Sequence, residues 1–146
     1  MRLNVQTDFA LRILIRLALT PERLVTIAQI ADRFAISRNH LTKIAQRLSD
    51  LGFIETVRGR NGGLRLALPA DEIRIGEVVR GMEPDFALVA CMQGGPGGCL
   101  IAGCCDLRGV LDQALNGFVA ILNDYTLADV TANRPELSRT LALSAE

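Results

Sequence analysis

The chain has 146 residues, sixteen Lys/Arg against sixteen Asp/Glu for a formal net charge of zero, and 49% apolar residues. That length suits one domain, or a small domain with an appendage, with enough apolar material for a core. No apolar run approaches the roughly 20 residues of a membrane span, and no secretory signal follows Met1-Arg2-Leu3-Asn4-Val5-Gln6, so a cytoplasmic protein with no membrane contact is expected.

Thr7 or Asp8 is positioned to cap a first helix, along which Phe9, Ala10, Ile13, Leu14, Leu17 and Ala18 recur at helical spacing. Thr20-Pro21 ends it, because proline disfavours helical geometry in the residue before it. Thr26-Ile27-Ala28-Gln29 has the form of a capping box. It opens a short helix with Ile27, Ile30, Ala31 and Phe34 on one face. After the tight connection Ala35-Ile36, Ser37 is placed to cap a second helix running to about Leu51. Its apolar stripe is Leu41, Ile44, Ala45 and Leu48, and Gly52 stops it.

Residues 53–57 and 64–68 read as strands. Asn61-Gly62 between them is a strong hairpin signal, since both residues tolerate positive φ. A further short helix fits Ile75 to Met82. Residues 91–103 hold five glycines and a proline and form an irregular loop. A long helix then runs from about Asp106 to Tyr125, with Leu107, Leu111, Ala114, Phe118, Ile121 and Tyr125 at heptad spacing. Thr126-Leu127-Ala128-Asp129 looks like a new helix start, and the tail after Pro135 is expected to be loosely held. The fold class is therefore mostly α with a small β-hairpin wing: a winged helix-turn-helix plus a long dimerisation helix. It divides into residues 1–83 (DNA-binding domain), 84–105 (cysteine-bearing loop) and 106–146 (dimerisation helix and tail).

The second helix of the pair carries Arg38, Asn39, His40, Thr42, Lys43, Gln46 and Arg47 on its polar side. Arg and Asn can make bidentate contacts to guanine and adenine edges in the major groove, and recognition helices present their N-terminal residues to bases. The hairpin adds Arg58, Arg60 and Asn61 at its tip, with glycines such as Gly62 that permit close approach to a phosphate backbone. Charge agrees with this reading. Residues 1–66 hold eleven Lys/Arg and five Asp/Glu, and residues 67–146 hold the reverse, so only the first half suits a polyanion. Ser37, Arg38, Asn39, His40, Thr42, Lys43, Arg58, Arg60, Asn61 and Gly62 are the candidate DNA contacts.

Cys91, Cys99, Cys104 and Cys105 lie within fifteen residues. In a reducing compartment such a group points to metal or redox use rather than disulfides. Thiolates are soft ligands that suit zinc or iron–sulfur clusters. The close CxxC-type pairs common in structural zinc sites are absent, which favours a cluster. Spacing leaves open whether Cys104 or Cys105 completes a trio with Cys91 and Cys99. Hydrolytic catalysis has little to work with: one histidine, no GxSxG, no P-loop and no HExxH.

Four stretches carry a resemblance. Thr7-Asp8-Phe9-Ala10-Leu11-Arg12, Ser37-Arg38-Asn39-His40-Leu41, Val57-Arg58-Gly59-Arg60-Asn61-Gly62-Gly63 and Tyr125-Thr126-Leu127-Ala128-Asp129 resemble the Rrf-type family of iron–sulfur winged-helix regulators, and within it the nitric-oxide-sensing repressors. The likeness runs from residue 1 to about 130. It implies that Cys91, Cys99 and Cys105 ligate a cluster, that Asp8 from the other subunit completes it, and that Cys104 is extra to the pattern. It implies a homodimer on palindromic double-stranded DNA that lets go when nitric oxide nitrosylates the cluster. The cluster-biogenesis branch of that family carries a histidine three residues after its last cysteine. Arg108 stands there, which favours a [4Fe–4S] sensor over a [2Fe–2S] protein. The other readings are a regulator of iron–sulfur biogenesis, a cluster-free thiol switch on the same fold, and a small electron-transfer protein.

Overall fold

The computed structural model describes residues 2–93, 99, 101 and 104–141. In chain order the elements are α1 (Val5–Leu19), α2 (Ile27–Phe34), α3 (Arg38–Asp50), β1 (Ile54–Val57), β2 (Gly63–Leu66), α4 (Ile75–Met82), α5 (Leu107–Asn123), α6 (Leu127–Val130) and α7 (Arg134–Thr140). A single 3₁₀ turn, Ala90–Met92, precedes the glycine-rich stretch. Residues 94–98, 100 and 102–103 of the expected irregular loop lie outside the described residues, as do 142–146 of the tail.

α1 is the hub of the core. Ala10, Ile13 and Leu14 are fully buried on it, and it packs against α3, α4, α6, β2 and α7. The helix begins one turn earlier than Thr7 or Asp8 would start it. Asn4 is the N-cap, its side chain accepting from the Gln6 N–H at 2.6 Å. Asn is as good a cap as Asp or Thr, and starting there turns Thr7 into the core, where it is fully buried.

α2 starts as read, with the reciprocal Thr26–Gln29 capping box. It ends on Ala35 at φ 53°, the single non-glycine residue with positive φ among those described. That left-handed residue bends the chain sharply into α3, whose buried stripe is the expected Leu41, Ile44, Ala45 and Leu48. Ser37 occupies the N-cap position but makes no side-chain capping bond. α3 closes on Gly52 at φ 80°, with the Gly52 N–H donating to the Ser49 carbonyl and the Phe53 N–H to that of Leu48. This is a Schellman closure, and it buries Phe53 with Leu48 in the core.

β1 and β2 pair antiparallel from Ile54↔Leu66 to Val57↔Gly63. Glu55 and Arg65 face each other as an ion pair of 2.7 Å. Val25 adds an antiparallel bridge to Leu64. The turn differs from a two-residue Asn61-Gly62 hairpin. Strand pairing stops at Gly63, so the tip spans 58–62. Its positive φ of 120° falls on Gly59, and the Gly62 N–H donates to the Gly59 carbonyl at 3.0 Å. Gly62 is required for another reason: a Cβ there would sit 2.2 Å from the Val57 carbonyl oxygen.

α4 matches its expected bounds and buries Ile75, Val78, Val79 and Met82. α5 packs on it, with Gly76 so close to Asn123 that a Cβ would lie 2.1 Å from the amide oxygen. α5 stops at Asn123 rather than Tyr125. Residues 123–127 then run beside the start of α4: Ile75 N–H donates to the Tyr125 carbonyl, and Leu127 N–H to that of Ile73. Thr126 and Asp129 form a second capping box for α6. The expectation of a loose tail after Pro135 fails as far as residue 141. α7 packs on α1, where Arg134 donates to the Ala18 carbonyl. No helix among the described residues is long and apolar enough to cross a membrane.

Candidate nucleic-acid interface and thiol loop

Because Leu41, Ile44, Ala45 and Leu48 pin one side of α3 to the core, its other side faces outward. Ser37, Arg38, Asn39, His40, Thr42 and Lys43 are all exposed. Asn39, His40 and Lys43 make no side-chain hydrogen bond or ion pair among the described residues, so their polar groups are available to a ligand. Arg38 has only a loose pairing with Asp32 at 3.7 Å, both well exposed. Thr42 donates its hydroxyl back to the Arg38 carbonyl at 2.8 Å. The far end of the polar side is committed within the protein. Gln46 donates to Asp50 at 2.8 Å, and Arg47 donates to the Gly81 carbonyl at 3.1 Å. The usable surface is thus the first turn and a half of α3, which is where recognition helices meet base edges.

Arg58, Arg60 and Asn61 are exposed at the hairpin tip, and Gly62 is half-buried beneath it. The start of α1 lies along α3, where Val5, Gln6 and Phe9 line a shallow groove with His40, Lys43 and Ile44.

Cys91 sits on the 3₁₀ turn and Cys105 just before α5, both half-buried, while Cys99 and Cys104 are exposed. All four are free thiols. The Cys104 thiol donates to the Ile101 carbonyl of its own turn, Sγ lying 3.5 Å from the oxygen. Asp8 is not the N-cap. It stands one turn into α1, and Arg12 grips both its oxygens, Nη2 to Oδ2 at 2.8 Å and Nε to Oδ1 at 3.2 Å. The Arg12 guanidinium also lies 5.8 Å and 6.0 Å from the ring centres of Phe9 and Phe34. Arg12 escaped the sequence reading, although its position four residues after Asp8 is the spacing of a helical ion pair.

Among the described residues, no three His, Cys, Asp or Glu side chains are grouped so as to hold a metal ion. By donor chemistry the free thiols fit an iron–sulfur cluster well.

α5 corrects the heptad reading. Leu111 and Phe118 are half-buried against their own chain, and Phe118 lines an apolar cavity with Leu115, Leu122 and Val79 of α4. The outward apolar face is instead Leu107, Val110, Ala114, Gly117 and Ile121, with Leu107, Val110 and Ile121 each about 60% exposed. The exposed apolar stripe is rotated from the heptad positions because one side of α5 already serves α4. Tyr125, exposed, lies beyond the helix end.

A family profile, Rrf2, described as an iron-dependent transcriptional regulator, matches residues 3–133. The chain is 44% identical over 144 residues to the HTH-type transcriptional regulator NsrR of Bacillus subtilis strain 168, covering 98% of this chain and 99% of that one. It is 45% identical over 142 residues to the NsrR of Geobacillus kaustophilus strain HTA426, covering 97% of each. Among solved structures it resembles CymR (YrzC), the global cysteine regulator of B. subtilis. The TM-score is 0.72 at 22% identity, over 91% of this chain and 98% of that one; this likeness concerns the fold.

Proposed function

The chain belongs to the Rrf2 family of transcriptional regulators, and on that premise we propose that it is an iron–sulfur-dependent, nitric-oxide-responsive repressor. The observation that carries the DNA part is the exposed first turn and a half of α3, where Asn39, His40 and Lys43 make no side-chain hydrogen bond or ion pair among the described residues. Arg38 and Asn39 would read base edges, Ser37, Thr42 and Lys43 would contact the backbone, and Arg58, Arg60 and Asn61 would hold the neighbouring groove. Two copies joined through the apolar face of α5 would present two such surfaces to a palindromic operator.

The cluster part is supported by the full-length likeness to NsrR proteins and by the free thiols on one loop. Cys91, Cys99 and Cys105 would hold a [4Fe–4S] cluster. Cys104 is the weaker third ligand, because its thiol is turned to the Ile101 carbonyl. Asp8 of the partner subunit would supply the fourth contact. When bound, the cluster supplies iron that reacts with nitric oxide. The protein's own part is the fate of the Asp8 carboxylate. Arg12 competes for it, so a freed Asp8 has a ready partner four residues away in its own helix. For a useful switch the loaded dimer must favour the DNA-competent state by about 5 kcal/mol over the unloaded one.

Anaerobic purification followed by an iron and sulfide count, an absorption spectrum and a nitric oxide titration against duplex binding tests this. A brown protein that bleaches and releases DNA together supports it. A two-iron count makes the cluster [2Fe–2S]. A colourless protein after anaerobic reconstitution overturns it and leaves a thiol-switch regulator.

A further inference from the structure

The cysteine-bearing segment leaves the DNA-binding half at the last turn of α4. That turn is held on two sides by residues far apart in sequence. Glu83, its C-cap, accepts through a single oxygen, Oε1, from the Asn4 N–H at 2.9 Å and from the Thr7 hydroxyl at 2.5 Å. Thr7 is fully buried, so without Glu83 its hydroxyl would be an unsatisfied buried donor. A carboxylate at the start of α1 is also favoured by the helix dipole. On the other side, the Gly81 carbonyl is one of the last four of α4 and has no partner within the helix. Arg47 of α3 supplies one at 3.1 Å. Gly81 also packs tightly on the C-cap of α3: a Cβ there would lie 2.9 Å from Leu51 Cδ1. Pro84 follows at once, ending the helix, and Cys91 comes seven residues later.

We infer that the Gly81–Glu83 turn is the mechanical joint of the regulator, with Glu83 its positioning residue. A pull on residues 84–93 acts on Glu83, hence on the α1 turn that carries Asp8. It also acts on Gly81, hence on Arg47 and the recognition helix. The signal that moves the joint rests on the proposed function; the joint itself rests on the three hydrogen bonds and the packing of Gly81 on Leu51.

Hydrogen exchange on the full-length, cluster-free protein tests the joint directly. In Glu83→Ala, amides of residues 4–9 and of 47–51 should both exchange about tenfold faster. Glu83→Gln, which keeps an acceptor oxygen, should restore both. Faster exchange confined to 4–9 overturns the inference. The second readout uses a duplex selected from a random pool with loaded wild-type protein. The ratio of loaded to cluster-free affinity should fall about tenfold in Glu83→Ala and recover in Glu83→Gln. A merely structural role would weaken both forms alike and leave the ratio unchanged, which also overturns the inference. If the wild-type ratio is itself one, the proposed cluster dependence fails, and the exchange result still decides the joint.

Discussion

Arg12 and Asp8 form a two-point ion pair within the first three turns of α1, at 2.8 and 3.2 Å. Both side chains remain over 40% exposed. Solvent screens such a pair, so its worth to stability is small. Arg12→Leu should cost less than about 1 kcal/mol in urea unfolding. Its larger effect should be on the loaded protein, where Asp8 no longer has a competitor. Asp8→Ala should alter the cluster spectrum while far-ultraviolet circular dichroism stays as in the wild type. An unaltered spectrum would remove Asp8 from the ligand set.

Ala35 holds a left-handed φ of 53° at the joint between α2 and α3. A side chain there costs energy that glycine avoids. Ala35→Gly should raise stability by about 0.5–1 kcal/mol, read from the urea midpoint at constant slope. A loss of stability would mean that the turn gains more from the methyl group than it loses to strain.

The wing separates two roles. Gly62→Ala drives a Cβ against the Val57 carbonyl, so the hairpin must shift, at about 1–3 kcal/mol. Arg60 is exposed and makes no hydrogen bond or ion pair among the described residues, so Arg60→Ala should leave the melting temperature unchanged. It should instead weaken DNA binding and flatten the log–log salt slope by about one unit. Equal salt slopes for Arg60→Ala and wild type would take Arg60 off the phosphate backbone.

Asp129 is held below the ordinary carboxylate range, first by the Thr126 backbone N–H and then by the Thr126 hydroxyl. A lowered folded value means the stabilisation is full above the unfolded value and is lost as pH falls through the folded one. Asp129→Ala should therefore be less stable than wild type at neutral pH, and the gap should close as pH drops below about 4. A gap that persists in acid would assign the effect to packing instead.

Ile121 and Phe118 are three residues apart on α5, the first exposed and the second lining the apolar cavity against α4. Ile121→Glu should leave the fold intact and turn a dimer into a monomer in sedimentation equilibrium. Phe118→Glu should destabilise the monomer itself, since it charges the seam with α4. A dimer that survives Ile121→Glu would move the interface elsewhere.

Local signals were legible wherever both partners lie within a turn or two of each other. The Thr26–Gln29 box, the apolar stripe of α3, the stop at Gly52 and the bounds of α4 each follow from spacings of three or four residues. The identities of the outward residues on α3 were equally legible, because a stripe that must be buried dictates which side is left exposed. Sequence spacing put the cap of α1 at Thr7 or Asp8 and passed over Asn4, the residue that caps it. All three are good caps, and the choice turns on Glu83, 76 residues from Thr7. Nor could spacing decide which face of α5 is outward, since a helix apolar on more than one side shows which side is covered only when α4 lies against it. The wing turn moved from Asn61 to Gly59 because pairing with Val25 and the close approach to Leu24 hold Gly63 in the strand. Short-range rules describe what a segment can do; tertiary packing selects among the options that those rules leave nearly equal in energy.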